Sequence, residues 1–122
     1  MKEGLKYTAY KIKPVPKPRM TQRDAWDKRP CVLRYRAFKD EVRKWGVQVF
    51  ENGTHVIFVM PMAKTWPKKK KNDMVFKPHQ NKPDVDNLTK ALLDSIFEED
   101  EQIWDIHATK IWGWEGYIII GK

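Results

Sequence analysis

The spacing of apolar positions divides the 122-residue chain into a short series of elements. From Tyr7 to Lys13, Tyr10 and Ile12 alternate with Lys11 and Lys13, which predicts a strand with one buried face. Pro14, Pro16, Pro18 and Pro30 punctuate a loop at about residues 14–30 that carries Lys17, Arg19, Arg23, Lys28 and Arg29. The closely spaced prolines at its start exclude a regular helix or a central strand there. Leu33, Ala37, Val42 and Trp45 form an apolar stripe that predicts a helix from Cys31 to Phe50. After a turn at Glu51-Asn52-Gly53-Thr54, the run from His55 to Met60 is rich in β-branched and aromatic residues and reads as a buried strand. Residues 62–82 show no such pattern and read as a long basic loop or arm, the kind of segment that is usually functional or mobile.

The strongest helical pattern follows. Val85, Leu88, Leu92 and Ile96 share one face, widened by Ala91, Leu93 and Phe97, which predicts a helix from Val85 to about Phe97. Ile103–Trp112 and Tyr117–Ile120 are strand candidates joined by Gly113-Trp114-Glu115-Gly116. The order β-α-β-α-β-β predicts one compact α+β or mixed α/β domain over residues 1–122, a mixed sheet flanked by two helices.

Composition narrows the class. A hydrophobic share of 41% and six Trp exclude a disordered chain and supply a core, in which most of the Trp are expected. No apolar run reaches the ~18 residues of a membrane span, and the N-terminus lacks a signal-peptide core. Cys31 is the single cysteine, which excludes an intrachain disulfide and a thiolate metal cluster and favours a reducing, cytoplasmic location.

The net charge of +8 is unevenly distributed. Residues 1–82 hold 21 Lys and Arg against 7 Asp and Glu, whereas residues 83–122 hold 3 against 9. A basic excess of this size attracts nucleic acid through phosphate contacts and counterion release. The acids do not scatter. Asp84 and Asp86 precede or open the second helix, and Glu98-Glu99-Asp100-Glu101 follows its end.

Pro83 biases Lys82 toward an extended backbone. If the extension continues to Asp86, then Asp84 and Asp86 project to one side, because strand side chains repeat every two residues. Either acid could instead cap the helix, but a second close carboxylate gains little from capping. Acids past the helix end oppose its dipole, and a bound cation would relieve them. Hard oxygen donors favour Mg²⁺, or Mn²⁺, over Zn²⁺. Carboxylate-bound metal beside a basic surface points to phosphodiester hydrolysis. On the polar face Asp86, Lys90 and Asp94 follow at intervals of four. Lys90 either stabilises phosphate charge or pairs with Asp86 or Asp94. His79 reads as a surface loop histidine, and His55 and His107 as structural. Trp66, beside Lys68-Lys69-Lys70-Lys71, is the candidate for base stacking.

Asp84-Val85-Asp86-Asn87-Leu88-Thr89-Lys90-Ala91-Leu92-Leu93-Asp94 resembles the D-x-D-N-x-x-K-x-x-x-D signature of the RusA-type crossover junction endodeoxyribonucleases. Glu99-Asp100-Glu101-Gln102-Ile103 resembles the D-D-x-Q-I/V segment that follows it in the family, here after a shorter linker. Pro14-Val15-Pro16-Lys17-Pro18-Arg19 resembles the family's basic loop. The resemblance implies a homodimeric, Mg²⁺-dependent Holliday junction resolvase acting in recombination and repair, with paired nicks in four-way DNA and a phage or prophage setting. It implies Asp84, Asp86 and Asp100 as catalytic metal ligands and Lys90 as the functional lysine. Lys17, Arg19 and Lys68, Lys69, Lys70 and Lys71 are the expected DNA contacts. The rival expectations are a non-catalytic DNA-binding module and a metal nuclease acting on flaps or RNA.

Overall fold

The computed structural model describes residues 6–19, 29–50, 53–99 and 101–121. The first strand, β1 (Tyr7–Tyr10), is shorter than expected. The backbone leaves it at Lys11, where the Ile12 N–H turns back to the Tyr10 carbonyl at 2.8 Å, and Ile12 itself drops fully into the core. Helix α1 (Pro30–Trp45) opens on a proline and ends at Gly46, whose left-handed backbone (φ 66°) closes the helix on the Arg43 carbonyl. That glycine is why the helix does not continue to Phe50, since a left-handed residue past the last turn is the cheap way to stop one.

The stripe on α1 is also rotated from expectation. Val32, Tyr35, Phe38 and Val42 are buried, whereas Leu33 is 44% and Trp45 50% exposed. Arg34, Arg36 and Lys39 flank the two aromatics and hide them in the pattern, but Tyr35 and Phe38 bury more apolar area than Leu33 or Ala37 would.

Strand β2 (Thr54–Pro61) contains the predicted run. The expected basic arm after it is not a plain loop: Lys68–Met74 forms a seven-residue helix, α2, that buries none of its residues. Lysine is a good helix former, and Pro67 at the N-cap cannot donate a hydrogen bond that the helix leaves unused in any case. Helix α3 (Val85–Ile96) lies where the periodicity placed it, with Leu88, Ala91, Leu92, Leu93 and Ser95 buried. Strands β3 (Ile106–Gly113) and β4 (Tyr117–Gly121) complete a four-stranded mixed sheet of order β1-β4-β2-β3.

Within the sheet β4 pairs antiparallel with β1 and β2, and β2 pairs parallel with β3, Thr54 beside Ile106 and Pro61 beside Gly113. A parallel pair requires a long crossover, here residues 62–105 with α2 and α3 inside it. Both long helices cover one sheet face. Val56, Phe58 and Met60 of β2 and Ile118 and Ile120 of β4 join Tyr35, Phe38 and Val42 of α1 and Leu88, Ala91 and Leu92 of α3 in one core. On the opposite face His55 and His107, register neighbours, stack at 4.4 Å. The Tyr7 hydroxyl lies 3.1 Å from His55 Nδ1, and Thr109 Oγ1 3.0 Å from Nε2. The tryptophans largely depart from expectation: Trp45, Trp104 and Trp114 are half or more exposed, while Trp112 is buried.

Candidate active site

The approach to α3 is laid down along β3. The Phe76 N–H donates to the Trp112 carbonyl at 2.8 Å, the Trp112 N–H to the Lys77 carbonyl at 3.0 Å, and the His79 N–H to the Lys110 carbonyl at 3.0 Å. Residues 76–79 thus act as a short added edge on the sheet. Beyond them the Lys110 ammonium donates to the carbonyls of Asn81 and Pro83, each at 2.6 Å. The next residue is Asp84.

Asp84 is the N-cap of α3, with an extended backbone (φ −69°, ψ 146°) and no capping hydrogen bond from its side chain. Its carbonyl accepts the Leu88 N–H at 3.2 Å, so the residue starts the helix through its main chain alone. The helix begins at Val85, so the expected extension through Asp86 does not occur; Asp86 lies in the first helical turn. Both carboxylates are on exposed residues. Asp86 and Lys90 line a groove of about 330 Å³ between α3 and β3, floored by Val85, Leu93, Ile106 and Ala108. The groove thus has a charged, solvent-exposed rim over an apolar floor.

Asp94, the third polar position on α3, is engaged elsewhere. Its carboxylate is 2.7 Å from Lys17 Nζ and 3.6 Å from Lys90 Nζ. The Lys17 N–H also donates to the Asn87 carbonyl at 3.3 Å. Lys17, expected at DNA, therefore pins the proline-rich loop to α3, and Arg19 two residues on is exposed. Tyr35 lies against the same cluster. Burial raises its phenol above the ordinary range, and the Asp94 charge adds to this.

Lys68, Lys69 and Lys70 are exposed on α2, and Lys71 is half-buried. Lys70 Nζ sits 4.1 Å over the Trp66 ring, which packs on Trp112 at 4.8 Å. Trp66 thus already carries a cation on its ring. His79 is not a surface histidine: it is 6% exposed, packs on Trp112 at 4.1 Å, and its Nδ1 finds no hydrogen-bond partner among the described residues. Burial holds its pKa below the ordinary value, and the Lys110 charge adds to this.

Asp100 lies outside the described residues. Among the described residues no three His, Cys, Asp or Glu side chains gather to hold a metal ion; Asp84 and Asp86 supply two carboxylates close in sequence. The donor chemistry nonetheless fits a hard divalent cation, since both acids are exposed and the one at the N-cap spends no side-chain oxygen on the cap. Pattern reading missed Lys110 and the burial of His79. The available signal was that Lys110 is one of only three cations after residue 82.

A mixed sheet with two long helices on one face and two exposed carboxylates at the head of the second defines an α+β domain. The chain matches the family described as Endodeoxyribonuclease RusA over residues 10–121, nearly its full length, and belongs to that family. Membership implies a Holliday-junction-resolving endonuclease. No match to a curated protein was found.

Proposed function

We propose that the chain is a Mg²⁺-dependent endodeoxyribonuclease that cuts four-way junctions by paired nicks as a homodimer. Two opposed nicks call for two sites, which a two-fold dimer supplies. The observation that carries the site is the exposed Asp84 side chain at the head of α3, uncommitted to the helix cap, followed by Asp86 and Lys90 on one groove. Asp84 and Asp86, with Asp100, would hold Mg²⁺ or Mn²⁺. The ion, when bound, activates water and stabilises charge on the attacking and leaving oxygens.

The chain's own residues do the rest. Lys90 presents its ammonium to the phosphate at the groove, and Asp94, 3.6 Å away, orients it. Lys17 holds the loop that presents Arg19, and Lys68, Lys69, Lys70 and Lys71 grip the DNA backbone from α2. A cytoplasmic location and a phage or prophage setting accord with this activity.

The test is cleavage of a synthetic four-way junction with and without Mg²⁺. The parent cuts only with metal and Asp86→Asn does not. Equal cutting by Asp86→Asn would remove the site assignment, and faster turnover on flaps or RNA than on junctions would replace the substrate.

A further inference from the structure

We propose that Lys110 is a positioning residue that fixes the entry to the acidic site through the backbone of Asn81 and Pro83. This rests on the reading of Asp84 and Asp86 as metal-facing carboxylates and gives that site its support. Three observations converge on it. The main chain of Lys110 is itself held, because its carbonyl accepts the His79 N–H at 3.0 Å. Its neighbour two residues along β3, Trp112, is buried between Trp66 and His79. From that rigid base the side chain reaches back to the same loop and bonds two carbonyls at 2.6 Å each.

A compact ammonium with three donors suits two carbonyls that approach from different directions; a planar guanidinium would not. Bonds from an ionised donor are roughly twice as strong as neutral ones. Gln80, Asn81 and Lys82 are all exposed, so solvent would otherwise compete for this backbone. The Pro83 carbonyl is the last group before Asp84. Holding it sets where the chain enters α3, and hence where the Asp84 carboxylate stands relative to Asp86. Backbone pairing guides the segment as far as His79, and Lys110 continues that guidance with a side chain to within one residue of the site.

Lys110→Met keeps the apolar stem and removes all three donors; Lys110→Gln retains a shorter, neutral donor. Two readouts decide the matter without DNA cleavage. In metal-free protein, hydrogen exchange at the first bonded amides of α3, from Leu88 on, whose N–H donates to the Asp84 carbonyl, speeds up in Lys110→Met and by less in Lys110→Gln, while α1 and β2 keep the parent's protection. In Mn²⁺ titrations followed by electron paramagnetic resonance, affinity falls by about 10- to 100-fold, the usual effect of losing a group that orients a metal ligand.

Parent-like exchange at the first bonded amides of α3, from Leu88 on, in a folded Lys110→Met overturns the proposal. So does a junction affinity whose salt slope drops by about one with Mn²⁺ affinity intact, which would make Lys110 a phosphate contact instead. If the parent itself binds no Mn²⁺, the metal reading fails separately, and the exchange measurement still decides Lys110.

Discussion

The two ends of α3 are built in opposite ways. The approach, residues 76–83, is tied to β3 by three backbone hydrogen bonds and two from Lys110. The exit begins with the Phe97 N–H on the Leu93 carbonyl at 2.9 Å and runs through exposed Glu98, Glu99, Glu101 and Gln102. It is caught again where the Gly53 N–H donates to the Asp105 carbonyl at 3.0 Å. One side of the acidic constellation is therefore set by the sheet, and the other side is carried on an exposed turn. The lesson is a division of labour. The backbone leading to Asp84 and Asp86 is anchored on the sheet, while Glu98, Glu99 and Glu101 past the helix are exposed.

The largest effect should come from substitution on the anchored side. Asp86→Asn is expected to lower junction cleavage by about 100-fold or more, because charge stabilisation at such a site supplies several kcal/mol. Glu99→Gln on the exit side should change it only a few-fold. Single-turnover rates at saturating Mg²⁺ make the comparison, and equal losses would erase the distinction between the two ends.

Next is the helix that both ends share. Leu92 is fully buried, and Leu92→Ala should destabilise the fold by about 2–5 kcal/mol, read from urea unfolding. A smaller cost would mean that α3 is held mainly by its anchored approach.

The approach also carries a pH signature. His79 has a depressed pKa in the folded protein, from burial first and Lys110 second. The unfolded chain therefore binds more protons just below the ordinary value of 6.5. Stability is present above that value and declines as pH falls toward the folded pKa. Thermal melts between about pH 5 and about pH 7.5 should show this dependence. His79→Gln should flatten it, with the His55 contribution, which has the same sign, left over.

The smallest effect is expected at the Asp94 cluster. Its partners Lys17 and Lys90 are 34% and 51% exposed, so solvent screens both pairs. Asp94→Asn should cost no more than about 1 kcal/mol, yet raise the protease sensitivity of the loop from Pro14 to Arg19. An unchanged digestion pattern would show that the Asn87 backbone contact suffices to hold that loop.

Much of this was legible in the sequence because α3 obeys a single rule. Its apolar period, acidic start and long polar face agree with one another, and the structure matches the expected helix to within a residue. Helix α1 was displaced because its largest buried side chains, Tyr35 and Phe38, sit among charges. Helix α2 was missed because four consecutive lysines display no apolar period, although each favours a helix. The site's supports were the least visible part. Lys110 acts on Asn81 and Pro83 from 29 and 27 residues away, and no local pattern reports a side chain that serves another segment's backbone. His79 looked exposed because it follows a proline in a polar stretch; only the ladder to β3 turns it inward.

The parallel register of β2 with β3 bears on the order in which the molecule comes into being. The acidic helix and its basic neighbour are both emitted before β3, yet the contacts that steady their approach belong to β3. Until β3 has been made, the groove beside α3 has no second wall and Asn81 and Pro83 have no ammonium to meet. Non-local pairing of this kind is intrinsically slow to form. The anchors of the approach to α3 and the second wall of its groove therefore form only once the C-terminal strand β3 has joined the sheet.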